Sequence, residues 1–243
     1  MVRSFLVRGM LAGLAAGLVA FVFARLFGEP PLDGGIAYED AAAAAAGDVG
    51  GEPLVSRGVQ SSLGLAVAYL VYGTALGGIL ALVFATVRGR LGRLDDRGTA
   101  VVVALVGFVA AVVVPFVKYP ANPPASSIDE TIGQRTGLYV LFVLVSVAAA
   151  VGAAVLARRL ADHGWWNAVL LAAGAYVVVV GLVGGLLPAI AETPTDFPAS
   201  VLYDFRLASL GAQLVLWTSI ALIFATLVHR DARSGFTRRL ARS

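Results

Sequence analysis

Acidic side chains follow the first apolar run of the sequence, and they could attract a cation. They lie at positions 29, 33, 39, 40, 48 and 52. Carboxylate oxygens are ligands that hard divalent cations such as Mg²⁺ and Ca²⁺ prefer. The chain has no cysteine, which removes thiolate ligands, and its two histidines, His163 and His229, lie far away in sequence. A segment that binds cations and a flexible solvated loop are both consistent with this composition.

A second stretch, VPFVKYPANPPASSIDETIGQR at 114–135, interrupts the apolar sequence with a lysine, a tyrosine and four prolines. Pro115 can kink the run that precedes it, and the three following prolines prevent both helix and sheet from forming. Elsewhere, polar groups inside the apolar runs are few. Gln213 is the most interesting of them, because a buried amide needs hydrogen-bond partners.

The elements that must position these residues are membrane-spanning helices. The chain has 59% hydrophobic residues, 14% charged residues and a mean hydropathy of +0.86, whereas a soluble domain carries about 25% charged residues. A bilayer core of about 30 Å needs about 20 helical residues to cross it. The continuous apolar runs exclude the alternating pattern of a membrane β-barrel. We therefore predict a single all-α integral membrane domain over 1–243, with six spans at about 5–27, 63–87, 99–117, 137–156, 168–187 and 207–228.

The distribution of lysine and arginine predicts the orientation, because positively charged loops stay in the cytoplasm. With both termini cytoplasmic, thirteen of the 18 basic residues lie on the inner side. The outer loops are then 28–62, 118–136 and 188–206. Eleven of the 15 acidic residues fall in these loops, so we expect the outer mouth to concentrate cations. Alternatively, these carboxylates only solvate the loops.

Three basic residues, Arg25, Lys118 and Arg206, lie near predicted outer span ends. They can snorkel to the membrane surface, or they can pair with Glu29, Asp129 or Asp204 and hold the loops together.

The first span has a second interpretation as a signal peptide, with Arg3, Arg8 and a passable cleavage site at 22–24. The ridge of Gly9, Gly13 and Gly17 favours a retained helix, because small residues four apart let a neighbouring helix approach closely. Each outer loop combines prolines with carboxylates and closes on an arginine, at Arg57, Arg135 or Arg206. This pattern is consistent with three parallel helical hairpins, although any six-span chain has evenly spaced loops.

Several classes of protein are disfavoured. The sequence contains no phosphate-binding loop, dinucleotide-binding fingerprint, zinc-protease motif or nucleophile elbow. We therefore expect no enzyme, no nucleotide and no permanently bound cofactor. The basic residues flank the spans, so we expect no nucleic-acid partner either.

The chain resembles the probable cobalt transporter subunit family, CbtA. The resemblance rests on RGMLAGLAAGLVAFVFARLFGEPPLDGGIAYED, on KYPANPP followed by TIGQRTGLYV, and on DFRLASLGAQLVLW. It implies a multi-pass protein of the cell (inner) membrane that carries cobalt or another divalent cation with a small single-span partner bearing histidines. Such a partner would supply the imidazole that transition metals prefer.

The resemblance marks motif positions, which we take as candidate site residues. The metal candidates are Glu29, Asp33 and Glu39. The candidates for a substrate vestibule are Lys118, Tyr119, Asn122, Pro123, Pro124, Arg135 and Arg206, together with Gln213 from the argument above. Carbonyl groups freed by the prolines are tolerable near the membrane only when they are buried in protein or line a wet cavity. We therefore expect a cation vestibule, and a divalent metal importer as the function. A non-transporting scaffold that stabilises or recruits a separate permease is the alternative.

Overall fold

The computed structural model describes residues 2–47, 55–92, 94–127, 129–190 and 193–240, and the described residues contain helices and no strand. The α-helices are α1 (Val2–Phe23), α2 (Glu29–Ala46), α3 (Arg57–Val59), α4 (Leu65–Val87), α5 (Asp96–Phe108), α6 (Val114–Lys118), α7 (Asp129–Arg159), α8 (Trp165–Leu186) and α9 (Ala199–Leu240). Six helical segments are long and apolar enough to cross a membrane. This confirms the predicted all-α architecture with six spans.

Three wider π-turns join α-helices into longer rods. They lie at Ala24–Gly28, Gln60–Gly64 and Val109–Val113. The first joins α1 to α2, so one helix runs from Val2 to Ala46 and continues into the predicted loop 28–62. Helix α2 ends at Gly47, whose φ of 73° favours glycine. The residues before this glycine, 39–46, are mostly alanine, the strongest helix former.

Helices α1 and α4 pack backbone to backbone. Gly9, Gly13 and Gly17 of α1 lie against Gly77, Gly73 and Tyr69 of α4, and a Cβ atom at any of the three would overlap a backbone carbonyl oxygen of α4. This confirms the prediction that the glycine ridge admits a close neighbour. In a bilayer the hydrophobic effect does not drive helices together, because lipid tails are as apolar as the side chains. Close van der Waals packing of the two backbones can stabilise this pair instead.

The core lies between α1, α4, α5 and α9, and combines alanines with a few large side chains. Phe84 lies between Phe5, at a centroid distance of 5.3 Å, and Phe224, at 5.2 Å, both in edge-to-face geometry. Arg88 follows Phe84 by one turn. Its guanidinium donates to both carboxylate oxygens of Asp96, at 2.7 and 2.6 Å, and lies over the Phe5 ring. This end of the bundle, which also holds Arg158 and Arg159, is called the arginine end below.

The bidentate contact with Asp96 raises the pKa of Arg88, so the guanidinium stays charged at every physiological pH. It ties α1, α4 and α5 together where the chain turns between α4 and α5.

Helices α7 and α8 pack on each other at the side of this core, and α7 also contacts the third π-turn and α6. Helix α9 packs mainly on α1 and α5. The first two predicted hairpin pairs are therefore in contact, whereas the described residues of α8 and α9 do not pack as a hairpin. The opposite end of the bundle, with Glu29, residues 119–127 and residues 187–190, is called the proline end.

Candidate functional site at the proline end

Glu29 and Asp33 reach the proline end because α2 continues directly from α1. Pro30 and Pro31 lie in the first turn of α2, and neither has a backbone N–H to donate to the preceding turn. The π-turn before them widens the helix at the point where the prolines interrupt the regular hydrogen bonds. Since residues four apart share one face of a helix, Glu29 and Asp33 point the same way.

Arg57 binds both carboxylates. Its Nη2 donates to Oε2 of Glu29, and its Nε and Nη2 donate to Oδ1 of Asp33 at 3.0 and 2.9 Å. The Glu29 side chain is only 4% exposed, whereas that of Asp33 is 60% exposed. A buried carboxylate needs a cation or donors beside it, and the guanidinium supplies both. The site is therefore a pair of carboxylates bridged by one internal cation, the guanidinium of Arg57.

The third metal candidate, Glu39, lies apart from this pair. It is exposed on α2, and six helical residues place it about 9 Å further along the axis and on another face than Asp33. Across the described ranges, no group of three or more His, Asp or Glu residues could hold a metal ion. Asp48, Glu52 and Glu192 lie outside the described residues.

The segment 119–127 has neither helix nor strand, as its prolines predict. It is nevertheless well packed. Pro123 lies against Gly35 of α2, where an added Cβ would be 3.0 Å from the proline Cβ. The Tyr119 side chain is buried, and its hydroxyl donates to the carbonyl of Pro188 at 2.8 Å. Burial also raises the pKa of Tyr119, so this donor stays protonated at physiological pH.

Two guanidinium groups bind the backbone carbonyls of Pro120 and Ala121 in this segment. Arg206 donates to the Ala121 carbonyl at 3.3 Å and to Oδ1 of Asn122 at 2.9 Å. Arg135 donates to the Pro120 carbonyl and to Oγ of Ser127, the latter at 3.0 Å.

We expected these carbonyls to line a cation vestibule. In the structure they accept hydrogen bonds from the side chains of Arg135 and Arg206. The loop is held as one folded unit between α2, α7 and α9.

The remaining candidates have smaller roles in this geometry. Nζ of Lys118 lies 5.8 Å from the centroid of the Tyr119 ring, within cation–π range. Pro124 contacts Gly35 beside Pro123. Gln213 lies seven residues beyond Arg206 on α9, about 10 Å deeper in the bundle, and therefore does not join the proline end.

Arg57 is the site residue that sequence reasoning missed. The expectation paired Glu29 with Arg25, which is exposed, whereas the actual partner is 28 positions away. The available signal was the arginine that closes each predicted loop. All three of these arginines bind groups at the proline end.

The six apolar helices of the described residues, each long enough to cross a bilayer, define a multi-pass membrane protein. The chain belongs to the CbtA family, described as probable cobalt transporter subunit, whose family model matches residues 2–229. This confirms the resemblance found in the sequence, and the family description implies a further component. No curated protein and no solved structure shows significant similarity to the chain.

Proposed function

We propose that this protein is the membrane subunit of a divalent cation importer and that cobalt is its cargo. Family membership supports transport of cobalt as a subunit of a larger assembly. The observation that carries the proposal is the carboxylate pair of Glu29 and Asp33, fixed at the end of a spanning helix and bridged by a single guanidinium. Such a pair can exchange its internal cation for an incoming one.

We place the protein in the cell membrane, which is the inner membrane where a cell has two. The proline end faces outward, and the arginine end faces the cytoplasm. The positive-inside distribution of the sequence supports this orientation. A divalent cation moving inward gains about 4.6 kcal/mol per 100 mV of interior-negative potential, twice the value for one charge. Uptake can then proceed without a nucleotide, a resident cofactor or enzymatic chemistry in this chain.

Cobalt prefers imidazole over carboxylate ligands. His163 follows α7 and His229 ends the membrane-spanning part of α9, so both histidines lie at the arginine end. The partner component therefore supplies nitrogen ligands at the proline end. A small single-span subunit with histidines near its outer end fits this requirement. The glutamate and aspartate of this chain then attract the ion and pass it to the shared site.

A scaffold that recruits a separate permease is the second candidate. The carbonyls of residues 120–121 are occupied by arginines, which favours a rigid docking surface over an open vestibule. In addition, no Asp, Glu or Lys lies in the middle of the six spans, where ion carriers usually have an ionisable residue.

Vesicle transport separates the two candidates. The protein, purified together with its native partner component, is reconstituted into vesicles with an interior-negative potential, and cobalt entry is followed with a trapped metal-sensitive dye. The importer predicts entry above that of vesicles containing the partner alone, and collapse of the potential should reduce it. Entry equal to that of the partner alone would leave the scaffold as the function.

A further inference from the structure

Two polar groups inside the bundle are buried without a hydrogen-bond partner among the described residues. They are the side-chain oxygen Oε1 of Gln213 and the indole Nε1 of Trp217, both on α9. The Trp217 residue is 7% exposed. An unsatisfied polar group at membrane depth costs several kcal/mol, because no bulk water can replace the missing bond. Two such groups on one helix therefore call for an explanation.

The two side chains reach two neighbouring helices from α9. Gln213 and Trp217 are four residues apart, so they lie one turn apart on one face of α9. The Trp217 ring packs on α5, where a Cβ added at Gly107 would lie 2.7 Å from the ring. The Gln213 amide reaches the hydroxyl of Tyr72 on α4. The two side chains thus lie between α9 and the helices α4 and α5.

The chemistry of the two groups selects the occupant. The amide oxygen can only accept a hydrogen bond, and the indole nitrogen can only donate one. A metal ion would satisfy the oxygen and leave the indole unpaired, whereas an anion would do the reverse. A water molecule does both, because it accepts from the indole and donates to the amide.

The distances also suit water. Residues one helical turn apart have Cβ atoms about 5 to 6 Å apart, a spacing that two successive hydrogen bonds of about 2.8 to 3.0 Å each can bridge. Buried waters usually make about three hydrogen bonds, and the Tyr72 hydroxyl provides the third partner.

We propose that a structural water molecule binds between Gln213, Trp217 and Tyr72 and closes the hydrogen bonds of the α4, α5 and α9 core. The site is separate from the carboxylate pair, and the inference does not depend on cobalt transport. It makes Gln213 a water ligand rather than a lining residue for a bare cation.

The tryptophan content of the chain allows a direct test. The chain has three tryptophans, and Trp165 and Trp166 are exposed. The variant W165F/W166F therefore leaves Trp217 as the only indole. Ultraviolet resonance Raman spectroscopy of this variant in lipid reports whether the indole N–H is hydrogen-bonded, and infrared difference spectra in heavy-oxygen water identify a bound water by its isotope shift.

We expect a hydrogen-bonded indole and an isotope-sensitive O–H band, both lost when Gln213→Leu is added and both kept when the exposed neighbour is changed by Thr218→Val. An indole without a hydrogen bond in the parent would overturn the proposal without any further variant. A bonded indole with no isotope-sensitive band would show a direct contact between Gln213 and Trp217, and it would overturn the proposal equally.

Discussion

Arg57 binds Glu29 across 28 positions of sequence and joins the start of α2 to the helix that leads into α4. The same guanidinium binds Asp33, so two carboxylates share one positive charge at the proline end of the bundle. This contact is both a structural tie and the feature that makes the proline end a candidate cation site. Its two roles can be separated by substitution.

Removal of the Arg57 guanidinium should destabilise the protein, because the buried Glu29 carboxylate loses its partner. Arg57→Ala leaves a buried carboxylate without a partner, which costs about 3 to 5 kcal/mol for a fully buried pair. Because Arg57 is one-third exposed, we expect about 1 to 3 kcal/mol, measured by thermal unfolding in detergent. Glu29→Gln added to Arg57→Ala should restore part of the loss. Arg25→Ala, at an exposed position, is the control and should have little effect; equal losses for both variants would contradict the pairing.

The glycine contact between α1 and α4 should tolerate no added methyl group. Gly13→Ala would force its Cβ into the carbonyl oxygen of Gly73, and overpacking of this kind costs about 1 to 3 kcal/mol or more. Gly174→Ala is the matched control, because nothing lies within 4 Å of that position and alanine is the better helix former by about 1 kcal/mol. We expect the unfolding temperature to fall for the first variant and to stay level or rise for the second. The opposite order would exclude the close packing described above.

The two hydrogen bonds of the Arg206 guanidinium should hold the segment 119–127 in place. Arg206→Lys keeps the charge but cannot reach both the Ala121 carbonyl and the Asn122 side chain with one planar group. We expect faster amide hydrogen exchange in 119–127 by mass spectrometry, with the transmembrane part of α9 unchanged. Asp204→Asn, at an exposed position two residues away, should leave the exchange of this segment as it is. Unchanged protection in Arg206→Lys would show that the other contacts of the segment, with Arg135, Pro188 and α2, fix it without Arg206.

The proposed orientation can be tested without removing native cysteines, because the chain has none. Asp40→Cys places a thiol on the exposed part of α2, and Arg90→Cys places one at the arginine end. A membrane-impermeant thiol reagent should label the first in intact cells and the second only after the membrane is permeabilised. The reverse pattern would invert the protein in the membrane and remove the case for import from the proline end.

Hydropathy was sufficient to predict the six spans, and residue size was sufficient to predict that α1 has a close helix neighbour, because both are local properties of the sequence. The continuation of α1 into α2 was not predicted. Two consecutive prolines usually end a helix, and only the π-turn before them allows the rod to continue. The pairing of Glu29 with Arg57 was missed for a different reason. It depends on where the start of α3 lies relative to α2, and a local sequence pattern does not give that position.

The direct test of the central claim is cobalt accumulation in cells that express the protein with its partner component. Three variants are compared at equal membrane abundance: Glu29→Gln, Asp33→Asn and Asp40→Asn, the last at an exposed position of α2 outside the Arg57 contact. The account predicts that the first two reduce uptake several-fold and that the third retains it. Full uptake by both Glu29→Gln and Asp33→Asn would contradict the claim that cations enter through this carboxylate pair.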